Sequence, residues 1–265
     1  MRFSCKVFLE NPANIVIPPD YRSYLLSMIK EAFRLSSDDG NEFFDRVYSG
    51  NNSKPFTFSA YIPMKRDGEN FKLEDRKDFF SFFFSTSDYE FLMRIYNGLN
   101  KIKSSKNFQL FGQNIKEIKH FFLLPEKSFN KDKLVFKTLS PFLVRNPEDG
   151  NYYFVPEGLL KGKSFKYSVE VSEKEFINAL KKNIVSLVKK YLGKEIEENE
   201  INISYANLEL SPSIHSSNKS NFRITLPAIK GLLELNTKPE VLKLLYDTGI
   251  GARRSEGFGM LEVVK

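Results

Sequence analysis

From Arg2 to Leu9, apolar side chains fall on every second residue, at Phe3, Cys5, Val7 and Leu9, with more polar neighbours between them. A period of two marks a strand with one buried face. After Pro18-Pro19 the period lengthens. Tyr21, Leu25, Met28, Ile29, Ala32 and Phe33 line one side of a predicted helix, with Asp20 placed to cap it. Residues 36–54 are polar and glycine-bearing apart from Phe43-Phe44 and Val47-Tyr48. Strands are expected at Phe56–Ile62 and Phe79–Ser85. Asp88 opens a helix carrying Phe91, Leu92, Ile95, Tyr96 and Leu99, and strand-like sequence runs on to about Leu124. The order β-α-β-β-α-β is the ferredoxin-like pattern.

The second half repeats the pattern without repeating the residues. Leu134–Leu139 and Phe142–Val144 are strand-like, and Tyr152–Val155 is a further strand candidate. Ser172-Glu-Lys-Glu175 has the form of a capping box, opening a helix to about Leu192 on Phe176, Leu180, Ile184, Leu187 and Tyr191. Strands are expected near 200–210 and 221–235. A second capping box, Thr237-Lys-Pro-Glu240, starts a helix through Val241, Leu242, Leu244 and Leu245, and Met260–Val264 reads as the last strand. The expected architecture is α+β, two tandem ferredoxin-like domains at 1–125 and 126–265, with Pro125–Lys131 as the segment between them.

Between that last helix and strand lie two Gly-x-Gly pairs, Gly249/Gly251 and Gly257/Gly259, bracketing Arg253-Arg254 and followed by Ser255. Glycine admits positive φ and close backbone approach. Two guanidiniums between such pairs offer forked donors to phosphate. The segment reads as a polyanion-binding loop. It is neither a P-loop nor a dinucleotide fingerprint, because both need a strand before and a helix after, and here that order is reversed.

Composition narrows the partner. Lys and Arg number 40 against 33 Asp and Glu, a net charge of +7, compatible with nucleic acid. Residues 101–140 hold nine lysines against Glu117, Glu126 and Asp132, and Lys161, Lys163 and Lys166 make a second basic turn. With one cysteine, Cys5, there is no internal disulfide, and with His120 and His215 the only histidines there is no Cys/His zinc cluster. Neither a metal nor a cofactor is expected. Phe79–Phe84 is too short to span a bilayer, and the N-terminal residues carry no long apolar segment, so a cytoplasmic protein without a membrane partner is expected. The 26 phenylalanines fit no aromatic RNA-stacking pattern and are assigned to the core.

Three stretches together resemble a known family: Lys54-Pro-Phe-Thr-Phe-Ser59, Val135-Phe-Lys-Thr-Leu-Ser-Pro141, and Leu244-Leu-Tyr-Asp-Thr-Gly-Ile-Gly251 with Gly257-Phe-Gly-Met-Leu261. They are similar to those of the CRISPR-associated endoribonucleases of the RAMP superfamily, which cut precursor repeat RNA; the last is that family's glycine-rich loop. The resemblance spans nearly the whole chain. It implies two ferredoxin-like domains, a basic cleft for CRISPR repeat RNA, and metal-independent cleavage. In that cleavage a 2′-hydroxyl attacks the adjacent phosphate, leaving a 2′,3′-cyclic phosphate and a 5′-hydroxyl. The different-class alternative is a non-catalytic RNA-binding subunit. A CRISPR effector complex and a homodimer are open as further assemblies.

The chemistry departs from the family at one position. Such a reaction needs a base, an acid and a cation for the phosphorane, and histidine suits the first two roles. Many members place one shortly before the Lys-Pro-Phe-Thr-Phe-Ser stretch; here Tyr48 stands there. Three readings stay open: Tyr48 and Lys54 run a histidine-free reaction, His120 or His215 serves from elsewhere, or the chain binds RNA without cutting it. The candidate catalytic residues are Tyr48 and Lys54. The candidate RNA contacts are Gly249, Gly251, Arg253, Arg254, Ser255, Gly257 and Gly259.

Overall fold

The computed structural model describes residues 1–50, 52–75, 77–105, 108–217 and 222–264. Lys106, residues 218–221 and Lys265 lie outside the described residues. The chain divides into two compact units, Met1–Glu126 and Lys127–Lys265, the division falling within the Pro125–Lys131 segment.

The first unit contains β1 (Arg2–Leu9), α1 (Tyr21–Leu35), α2 (Gly40–Tyr48), β2 (Phe56–Tyr61), β3 (Met64–Asp67), β4 (Asn70–Leu73), β5 (Phe79–Thr86), α3 (Tyr89–Lys101), β6 (Gln109–Leu110) and β7 (Gln113–Leu123). Its sheet runs β2-β5-β1-β7-β6, with β1 antiparallel to both β5 and β7. Alternation in β5 turns Phe80, Phe82 and Phe84 inward, each at most 1% exposed. They meet Leu25, Met28, Ile29, Ala32 and Phe33 of α1 and Phe91, Leu92, Ile95 and Leu99 of α3 in one core. Each fully buried phenylalanine contributes roughly 1.5–3 kcal/mol. Cys5 sits in this core, and burial pushes its thiol pKa well up.

Asp88 caps α3 by accepting from the amides of Glu90 and Phe91. Asp20 precedes α1 but makes no side-chain cap. The helix α2 occupies the stretch whose polar sequence indicated no element. It is held through Phe43, which packs edge-on against Phe33 and Phe91. The β3-β4 hairpin is likewise absent from the sequence pattern; only Leu73 of its eight residues is buried, so no apolar period marks it.

The second unit contains β8 (Lys133–Thr138), β9 (Val144–Arg145), β10 (Tyr153–Pro156), β11 (Ser168–Val171), α4 (Glu173–Leu192), β12 (Asn202–Leu210), β13 (Ser213–Ser217), β14 (Phe222–Leu226), β15 (Ile229–Asn236), α5 (Pro239–Thr248) and β16 (Leu261–Val263). The antiparallel order β12-β15-β8-β16 repeats the arrangement β2-β5-β1-β7 of the first unit. Both units are ferredoxin-like, and α4 and α5 supply much of the second core. The Ser172 capping box forms as expected. The Thr237 box does not: Lys238 is the N-cap residue with no side-chain cap, and Glu240 pairs with Lys194 instead. The strand expected at 221–235 is two strands. Its first part, β14, pairs with β13 as a separate hairpin, and His215 lies in β13.

A small third core, Leu143, Tyr153, Leu226, Ala228 and Phe258, joins β10 and the β13-β14 hairpin to the segment between α5 and β16.

Candidate functional site

The segment between α5 and β16 is a closed, internally bonded loop. Gly249 ends α5, its N–H donating to Leu245 O at 2.8 Å. Ile250 N–H donates to Gly259 O (2.9 Å), Gly251 N–H to Asn183 Oδ1 (3.1 Å), Ala252 N–H to Leu143 O (2.8 Å) and Gly259 N–H to Pro141 O (2.8 Å). Glu256 and Gly257 donate to the carbonyls of Arg253 and Arg254 in one short 3-10 turn that also holds the half-buried Ser255. Two glycines are required by space. A Cβ on Gly251 (φ +77°) would sit 2.3 Å from Leu143 O, and one on Gly259 (φ +71°) 1.9 Å from Ile250 O. The loop amides expected to face an anion are therefore largely spent on the loop's own fold.

The two arginines part company. Arg254 is 4% exposed; its Nη1 donates to Thr248 O at 2.8 Å, and its guanidinium lies 5.6 Å from the Tyr191 ring centroid. Burial lowers its pKa, opposed by Tyr191. Arg254, one of the candidate RNA contacts, has its charge turned inward, where it ties the loop to the end of α5. Arg253, at φ +55°, keeps 22% of its side chain exposed. Its Nε donates to Tyr153 Oη at 2.6 Å and its Nη1 to Glu256 Oε2 at 2.7 Å, with His215 Nε2 3.3 Å from the same Nη1. Burial works against its charge, but Glu256 and Tyr153 outweigh burial and raise its pKa. Sequence reasoning left out Tyr153, Glu256 and Arg145, which also donates to Tyr153 Oη, at 3.1 Å. Only the β9-β10 pairing, which sets Arg145 opposite Tyr153, makes that neighbourhood visible.

In the first unit, Tyr48 closes α2 and Lys54 precedes β2. The structure brings the two together: Lys54 Nζ lies 4.7 Å from the Tyr48 ring centroid and donates to Asn52 O at 3.1 Å. Lys30 of α1, not singled out from the sequence, places its Nζ 5.0 Å from the same ring. Phe44, one helical turn earlier, stacks on Tyr48 with centroids 4.9 Å apart. The half-buried ring thus has an aromatic neighbour and two ammonium groups, while its hydroxyl oxygen is buried. Chemically, the two lysines supply positive charge of the kind a phosphorane needs.

The remaining candidates are spread out. His120 lies in β7 at φ +55° and stacks on Phe122, centroids 6.4 Å apart. Lys161, Lys163 and Lys166 are exposed in their turn. Among the described residues, no group of three or more His, Cys, Asp or Glu is arranged to hold a metal ion, and no helix is long and apolar enough to cross a membrane.

The family model for the CRISPR-associated protein Cas6, C-terminal, matches residues 124–263. The chain belongs to this Cas6 family. A CRISPR-associated endoribonuclease Cas6 from Pyrococcus furiosus is 27% identical over 273 residues, covering 99% of this chain and 90% of the relative. Among solved structures, a Cas6-related protein from Pyrococcus furiosus superposes with a TM-score of 0.71 at 22% identity, covering 100% of this chain and 98% of its own. A RAMP protein that binds different RNA substrates does so at 0.69 and 20%, each chain covered in full. These structural likenesses speak to the fold, and they extend it across both units. The Cas6 model ends at Val263, so the glycine loop lies wholly within it.

Proposed function

We propose that this chain is an endoribonuclease that cuts precursor CRISPR repeat RNA without a metal, by attack of a 2′-hydroxyl on the adjacent phosphate. The bond from phosphorus to the 5′ oxygen breaks, leaving a 2′,3′-cyclic phosphate and a 5′-hydroxyl. Membership of the Cas6 family supports the substrate class. The observation that carries the chemistry is the convergence of Lys54 and Lys30 on Tyr48. In this reading the lysines stabilise the pentacoordinate phosphate, Tyr48, ionised once its hydroxyl leaves its buried place, takes the 2′ proton, and water gives a proton to the departing 5′ oxygen. Arg253 and Ser255 contact phosphate from the glycine loop, and Gly249, Gly251, Gly257 and Gly259 give that loop its shape.

One observation favours a second reading. The Tyr48 hydroxyl is buried where the family would set a histidine, which suits a subunit that holds repeat RNA and leaves it intact. Incubating the protein with its organism's repeat RNA in EDTA separates the two. A single cut supports the enzyme; no product after long incubation at excess protein, with RNA bound, establishes the binding subunit.

A further inference from the structure

Arg145 and Arg253 both donate to one oxygen, the hydroxyl of Tyr153, at 3.1 and 2.6 Å. Tyr153 is 4% exposed and fixed in the third core, whereas Arg145 is exposed. Two guanidiniums converging on one neutral acceptor repel each other, and something must offset that. Among the described residues Glu256 is the one carboxylate with an ion pair to either: it takes Arg253 Nη1 at 2.7 Å and faces His215 Nδ1 at 3.5 Å. Among the described residues Arg145 makes no ion pair, and Arg253 Nη2 makes no hydrogen bond. Arg145, Arg253 and Glu256 together keep one positive charge in excess, on rigid supports and at the surface. That is the electrostatic complement of a single anionic group.

We propose that Arg145 and Arg253 form a two-guanidinium clamp for one phosphodiester of bound RNA, with Tyr153 as the positioning residue that sets their spacing. This rests on the RNA-binding reading above and adds to it a contact from outside the glycine loop. The β9-β10 register supplies Arg145 and Tyr153 opposite each other, and the bond from Ala252 N–H to Leu143 O brings Arg253 up against them. Glu256 holds the Arg253 fork in position while the clamp is empty, so little side-chain freedom is lost when the phosphate arrives.

The test is the affinity for the organism's repeat RNA, by fluorescence anisotropy, across a series of salt concentrations. Arg145→Ala is the first variant, because an exposed side chain can be removed without loss of folding. It is expected to weaken binding about tenfold at low salt and to reduce the slope of log affinity against log salt by about 0.7–0.9, the value for one phosphate contact. Arg145→Lys should restore the slope but not the full affinity, since the fork is lost. Tyr153→Phe keeps the ring in its core and should weaken binding, and adding Arg145→Ala to it should cost less than in the wild type. Lys189→Ala, at an exposed site paired with Glu195, should leave the slope unchanged. Wild-type binding with an unaltered Arg145→Ala slope would overturn the clamp alone. Absence of RNA binding by the wild type would overturn both the clamp and the reading beneath it.

Discussion

Arg94 grips Asp39 with both arms of its guanidinium, Nη1 to Oδ1 at 2.8 Å and Nη2 to Oδ2 at 2.7 Å, tying α3 to the start of the helix that ends in Tyr48. The hydrogen bond from Arg94 holds the Asp39 carboxyl below the ordinary carboxylate range. A depressed folded-state pKa adds stability above the unfolded value and loses it as pH falls. Asp39→Asn should therefore lower the melting temperature at pH 7. Its deficit against the wild type should begin to shrink below about pH 4, the unfolded value for aspartate. Melting curves across pH 2–7 check this; a deficit that does not vary with pH would contradict it.

The glycines of the loop should behave as parts of the fold. Gly251→Ala and Gly259→Ala each drive a Cβ into a carbonyl oxygen at positive φ, so each should cost about 1–3 kcal/mol or more in urea unfolding. Their effect on RNA affinity should follow from the distorted loop and leave the salt slope near that of the wild type.

Arg253 and Arg254 should be separable by the same two measurements. Arg254→Ala leaves the buried Thr248 carbonyl without that donor and should destabilise by about 1–3 kcal/mol. Arg253→Ala, by contrast, should reduce the salt slope of RNA binding by close to one contact with a smaller change in stability.

The lysines beside Tyr48 should govern rate more than binding. In single-turnover cleavage with EDTA present, Lys54→Ala and Tyr48→Phe should each slow the reaction strongly, with RNA affinity largely kept. Lys30→Ala should slow it as well, by an amount in the range for loss of one electrostatic contact, about 10²-fold. Unchanged rates in all three would move the chemistry to His215 or His120.

Much of this was legible in the sequence, where burial writes a period. The alternation of β5 and the stripes of α1, α3 and α4 follow from one face being dry, and the doubled order β-α-β-β-α-β gave the topology. The helix α2 was not legible, because it buries only Gly40 and Phe43 and depends on tertiary partners, Arg94 among them. The same holds at the candidate site. Gly-x-Gly spacing shows where a loop must bend, but not that Arg254 turns inward to a carbonyl while Arg253 meets the hydroxyl of Tyr153. Tyr153 is far from Arg253 along the chain, as Lys30 is from Tyr48, and no local pattern announces them.

The loop's amides have a consequence for how such a protein can change. Because the frame is closed by bonds to Leu143, Pro141 and Asn183 and not by its cargo, its shape does not depend on what Arg253 touches. Residue 253 and its exposed neighbour at 145 can be exchanged one at a time while the frame stands. Preference among RNAs is thereby open to gradual revision, with no intermediate that must first forfeit its fold.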